Sequence, residues 1–165
     1  MNMATEALVR QLMERVEGNP DASTVAVLRE LMNDSTIESS SPPLSIAQAA
    51  KLLNTSVYTL RYYEREGLVH PDRDAKGYRV YSAFALRRLV FLSRMRVSGM
   101  TMSDLKRYIS LVEQGDATIG QRRQLMLEQR RRIQAQINEL SLALEVTDYK
   151  IESYHAALPS TVTPA

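Results

Sequence analysis

At 165 residues, 44% of them hydrophobic, the chain holds enough apolar material for one ordinary domain with appendages, and its net charge is +2. It has no cysteine and only two histidines, His70 and His155, which excludes disulfides, thiolate metal sites and cysteine redox switches and leaves too few imidazoles for a zinc site. No apolar run approaches the roughly 18 residues of a membrane span and no signal-peptide pattern is present, so a cytoplasmic location with no membrane partner is expected.

The positive charge is concentrated. Residues 1–43 carry three basic and seven acidic side chains, residues 44–112 carry twelve and five, and residues 113–165 carry six and seven. An excess of +7 in the middle segment has the form of an electrostatic footprint on phosphates, although a solvated basic face would count the same way.

In chain order, residues 5–17 place Leu8, Leu12 and Val16 with Val9 and Met13 on one helical stripe. Gly18-Asn19-Pro20 should end that helix, and Asp21 or Ser23 can cap a second one carrying Val25, Leu28 and Leu31. Residues 1–33 therefore read as an acidic helical extension, either a loosely packed appendage or a partner-binding arm. The Ser-rich and Pro-rich stretch 34–43 reads as a linker.

Ser45 can cap a helix with Ile46, Ala49, Ala50 and Leu53 at core spacing. Asn54 suits a left-handed turn, Ser56 can cap a helix over about 57–66, and Gly67 can close it. Two short helices on a three-residue turn make a helix-turn-helix. Leu68-Val69 and Tyr78 to Tyr81 flank a polar turn and suggest two strands of a wing.

Helices resume at Ser82, break at Ser98-Gly99 and again at Gly115-Asp116. From about Thr118 to Tyr154 no Pro occurs, and no Gly follows Gly120. Ile133, Ile137, Leu140, Leu144, Thr147, Ile151 and Tyr154 step by four and three, a heptad seam that calls for a partner helix. Residues 117–155 are thus expected to be a dimerisation helix and 156–165 a disordered tail.

Within the second short helix, Arg61, Tyr62 and Tyr63 stand side by side. Arg offers a fork of donors suited to guanine or phosphate, and Tyr adds an aromatic body with a hydroxyl. Neighbours on a helix point about 100° apart, so the three cannot face a groove equally. The competing reading is an amphipathic helix whose aromatics complete a small core.

Taken together, Ile46, Ala49 and Ala50, then Thr59-Leu60-Arg61-Tyr62-Tyr63-Glu64 with Gly67-Leu68, resemble the DNA-binding domain of the MerR family of bacterial regulators. Pro71, Arg73, Gly77-Tyr78-Arg79, Tyr81-Ser82, Leu89, Gly99 and Leu105 extend the likeness over most of residues 44–112. The resemblance implies a mainly α fold: a winged helix-turn-helix domain, then a long antiparallel coiled-coil dimerisation helix, here with an N-terminal helical hairpin. It implies a homodimer on double-stranded promoter DNA, with RNA polymerase as the partner at the promoter. Family activators bend and untwist promoters whose polymerase-recognition elements are set too far apart, offsetting several kcal/mol of deformation.

The resemblance assigns DNA contact to Arg61, Tyr62 and Tyr63, backbone contact to Arg79, and phosphate contact to Arg96. Ser56 and Tyr58 stand at helix-start positions that could approach DNA, whereas Glu64 is better placed to pair with a basic side chain of the chain itself. Dimerisation falls to Ile133, Ile137, Leu140, Leu144, Ile151 and Tyr154.

The sensing cysteines and the large ligand domain of better-known members have no counterpart, so no effector is named. Arg130-Arg131-Arg132 reads as a solvated or DNA-adjacent face rather than an effector site. No cofactor, metal or catalytic constellation is expected. Two other readings are an effector-independent architectural or recombination-accessory DNA-bending protein and a protein-interaction module.

Overall fold

Asp21 shows how closely the local chemistry is followed. Its carboxylate accepts the N–H groups of Ser23 (2.9 Å) and Thr24 (3.0 Å), and Thr24 Oγ1 accepts the Asp21 N–H in return. This reciprocal cap starts α2 (Ala22–Met32), which packs on α1 (Thr5–Val16). The computed structural model describes residues 4–18, 20–33, 37 and 41–157. Most of the expected linker and residues 158–165 of the expected tail lie outside the described residues.

Leu8, Val9 and Leu12 of α1 are buried with Val27 and Leu31 of α2. Val25, expected inside, is 46% exposed, and Val27 takes its place. Apolar residues lie on several sides of α2, so spacing alone could not choose the inward one.

The extension is not a loose appendage. Arg87 of α5 (Ala83–Val97) is 4% exposed and reaches into it, donating from Nε to Thr5 Oγ1 (3.1 Å) and from Nη1 to the carbonyls of Glu30 (2.8 Å) and Leu31 (3.0 Å). The last carbonyls of a helix lack intrahelical donors and carry its partial negative charge, so a buried guanidinium satisfies both needs.

Arg87→Leu would remove the side-chain donor of the Leu31 carbonyl and one of the donors of the Glu30 carbonyl, which the Asn33 N–H also serves, at a cost of about 1–3 kcal/mol. We expect faster tryptic cleavage in residues 1–33 and a lower unfolding midpoint; unchanged cleavage would show that Arg87 is not the anchor. The unfolding midpoint should also respond to acid. Hydrogen bonds from the Ser23 hydroxyl and the Thr24 N–H push the Asp21 carboxyl from 3.8 down to about 2. Its folded value lies below its unfolded one, so the cap is complete above about pH 4 and is lost as the pH falls toward 2.

The helix-turn-helix forms as its caps dictate. Ser45 accepts the Gln48 N–H to start α3 (Ile46–Leu52), and Ser56 accepts the Thr59 N–H (3.0 Å) to start α4 (Val57–Arg65). Asn54 between them has φ +47°.

The wing departs from expectation. Leu68 and Val69 are fully buried and pair with no strand. Pro71 follows them, and it cannot donate to a ladder. Pairing begins at β2 (Asp72–Arg73), which joins β3 (Arg79–Tyr81) antiparallel; β1 (Leu44–Ser45) covers the other edge of β3 in the order β1-β3-β2.

Ser82 caps α5, and Gly99 (φ +81°) turns the chain into α6 (Met102–Glu113). A short 3₁₀ turn over Asp116–Thr118 leads to α7 (Ile119–Ala157), so Ala156 and Ala157 are helical rather than part of a tail. Leu125 and Gln129 root α7 in the domain, where Gln129 Nε2 donates to the Ser98 carbonyl (2.8 Å). Arg132 meets Asp104 at 2.6 Å and holds that carboxyl below its ordinary range. Beyond that point Ile137, Leu140, Leu144, Ile151 and Tyr154 are each 50–70% exposed, and Ile133 is half-buried.

Candidate nucleic-acid interface

The outer face of α4 is set by what its inner face buries. Leu60 and Tyr63 point inward, and Tyr63 is only 7% exposed. Burial pushes its phenol above the ordinary value, and the charge of nearby Arg96 opposes part of that shift. Of the two tyrosines to which the resemblance assigns DNA contact, and which cannot face a groove equally, Tyr63 is the one packed into the core. The 100° step that removes it leaves Tyr62 half-buried at the surface beside exposed Arg61.

Tyr58, 73% exposed, lies one turn before them, and the guanidinium of Arg65 lies 5.3 Å from the centre of the Tyr62 ring. Tyr58, Arg61, Tyr62 and Arg65 stand at i, i+3, i+4 and i+7, one continuous stripe. Arg65 escaped the sequence reading although that spacing could have revealed it. Ser56 is exposed at the N-terminal end of α4, but its Oγ is engaged in the cap.

The wing is locked against α4. Arg79 donates from Nε to Glu64, and Arg73 lies 3.9 Å from the same carboxylate. The bond and charge of Glu64 raise the Arg79 guanidinium above its ordinary value. Glu64 does pair within the chain, and Arg79 is half-buried as a clamp before it is anything else. Asp74 builds the wing turn by accepting the N–H groups of Lys76 and Tyr78, both at 2.9 Å. Tyr78 is left exposed at the tip.

Arg61, Tyr78 and Arg79 line a cleft of about 240 Å³ with the start of α3. Helix face, wing tip and α3 therefore border one surface. Arg96 is exposed beyond Tyr63, with Nη1 2.6 Å from the Met100 carbonyl.

The second sequence-predicted site is the seam on α7. Past Ile133 it covers nothing among the described residues, and its residues project along one side of the helix. Exposed Leu142, Val146 and Tyr149, which the heptad count passed over, occupy the opposite side.

Among the described residues no group of three His, Cys, Asp or Glu could hold a metal ion, and no helix is long and apolar enough to cross a membrane.

Residues 44–111 match the model of the MerR HTH family regulatory protein. An uncharacterized HTH-type transcriptional regulator of Haemophilus influenzae is 36% identical over 112 residues, covering 67% of this chain and 83% of that protein. The solved structure of HiNmlR, a MerR family regulator lacking the sensor domain, bound to promoter DNA, is similar with a TM-score of 0.66 and 34% identity. That likeness covers 70% of this chain and 93% of HiNmlR. A putative MerR family transcriptional regulator from Listeria monocytogenes gives 0.65 and 34%, over 68% of this chain and 86% of that one. The family model begins at Leu44, after α2. The chain belongs to the MerR family of helix-turn-helix transcriptional regulators.

Proposed function

We propose that this protein binds double-stranded promoter DNA as a homodimer in the cytoplasm and controls transcription by distorting the DNA before RNA polymerase. The observation that carries the reading is the stripe of Tyr58, Arg61, Tyr62 and Arg65, held outward on α4 beside a wing that Glu64 clamps in place. A helix enters the major groove, and a flanking turn follows the phosphates. Arg61 and Tyr62 read or grip the groove, Tyr58 and Ser56 lie at the helix end nearest the backbone, and Arg96 and the wing tip carry phosphate contact.

The exposed seam supports a dimer, because a helix of 39 residues, about 58 Å long at 1.5 Å per residue, needs another surface to cover its apolar side. Pairing seam to seam through Ile133, Ile137, Leu140, Leu144, Ile151 and Tyr154 presents two α4 helices to two half-sites.

Fluorescence anisotropy of the full chain on its own upstream region, against an unrelated duplex, tests the reading. Tighter binding to the upstream region and a steep fall with salt are expected. DNase footprinting should show a distorted spacer between the half-sites. Equal affinity for both duplexes would reject sequence-specific control.

A further inference from the structure

The cleft where α2, α5, α6 and the start of α7 meet lies apart from the α4 face and from the seam. Its walls are aromatic and apolar: Phe84, Phe91 and Tyr108 from the domain, with Leu31 and Met32 from the extension. Phe91 and Tyr108 stack with ring centres 4.9 Å apart. Its volume is about 270 Å³. Sites for drug-sized ligands start at roughly 300 Å³, so this one suits a single ring with one substituent.

Among the described residues its charged lining is of one sign. Arg87, Arg88 and Arg122 border the cleft, and no carboxylate among the described residues does. Arg87 serves the carbonyls of α2, and Arg88 lies over the Phe84 ring while donating to Glu113 outside the cleft. Arg122 is held less completely. Its Nη2 lies 3.3 Å from the Gly115 carbonyl and 3.6 Å from Asp116, a carboxylate whose side chain is 96% exposed. Its Nε is shut off from solvent with no hydrogen-bond partner among the described residues. A guanidinium N–H shut off from solvent without an acceptor in the protein is costly, and in native proteins strain, an ordered water, an ion or a ligand accounts for such a group.

We propose that this cleft binds a small organic anion, a carboxylate carried on a flat apolar ring. The aromatic walls take the ring, and Arg122 takes the carboxylate through a charge-assisted bond. The site joins the extension, the domain and the root of α7, so filling it bears on the angle between the α4 face and the dimer helix. Its role as an effector site rests on the DNA-binding reading above.

Calorimetry on the full chain with benzoate, phenylacetate and cyclohexanecarboxylate tests the site directly. At least one carboxylate should bind once per chain. Benzamide, the neutral counterpart of benzoate, should bind about tenfold more weakly or not at all. Arg122→Gln should lose about tenfold, with Arg122→Lys recovering part of it. Met32→Trp fills the cleft without removing a charge, and it should abolish binding while the circular dichroism spectrum stays native.

Failure of all three carboxylates to bind would overturn the proposal. So would binding that survives both Arg122→Gln and Met32→Trp. Anisotropy on the upstream duplex separates the two readings. DNA binding without carboxylate binding sinks the cleft alone, whereas Arg122-dependent carboxylate binding without DNA binding sinks the regulator reading and leaves the site standing.

Discussion

Replacing Arg61 with alanine should weaken binding to the cognate operator by about 1–3 kcal/mol per half-site and flatten the preference for that operator over other DNA. Arg61 is exposed on α4 between Tyr58 and Tyr62, and no ion pair ties it to the domain among the described residues. Its loss therefore costs the fold little, and the native helix signal and unfolding midpoint should be kept.

Arg65→Ala provides the contrast. Its guanidinium leans on the Tyr62 ring and on Glu66 rather than standing at the centre of the stripe. We expect a roughly uniform loss over all duplexes and a smaller salt slope, as befits a phosphate contact. Anisotropy titrations on operator variants distinguish the two patterns. Unchanged specificity in Arg61→Ala would remove that residue from base recognition.

A double substitution in the seam, Leu140→Asp with Leu144→Asp, should turn the proposed dimer into a monomer in sedimentation. Both side chains are more than half exposed in the single chain, so the charges cost nothing to its own core. In a paired seam each would bury a carboxylate against apolar residues without a partner. DNA affinity should fall by roughly two to four orders of magnitude, because the second half-site is no longer held at high effective concentration. The domain around α3 to α6 should keep its unfolding transition, since the described structure gives residues 140 and 144 no contact with it. A variant that remains dimeric would place the interface elsewhere, with Leu142, Val146 and Tyr149 as the remaining apolar stripe on α7.

Much of the architecture was legible because it is local. Asp21, Ser45, Ser56 and Ser82 each start the helix their position suggests, and Asn54, Gly67 and Gly99 turn where positive φ is needed. These are contacts across three or four residues, which spacing encodes directly. The candidate interface was legible in outline for the same reason. Arg61 and Tyr58 fall on the outer face once Leu60 is inside, and the i+7 spacing from Tyr58 puts Arg65 on the same stripe.

The rest required partners distant in sequence. Nothing near Arg87 says that its guanidinium ends in the carbonyls of α2, more than fifty residues earlier. Leu68 and Val69 have strand-like chemistry, yet the core takes both side chains and Pro71 delays pairing to Asp72. Arg79 reads as a free cation until Glu64, fifteen residues before it, is brought alongside.

By itself, then, the sequence determined the helices, their caps, the basic middle segment, the seam and the family, because each depends on short spacings or on composition. Tertiary structure decided which tyrosine is core, that the extension is docked, and that three arginines and three aromatic rings from three helices border one cleft. Those outcomes depend on which side chains compete for the same buried volume. That competition is settled only when all the elements pack at once.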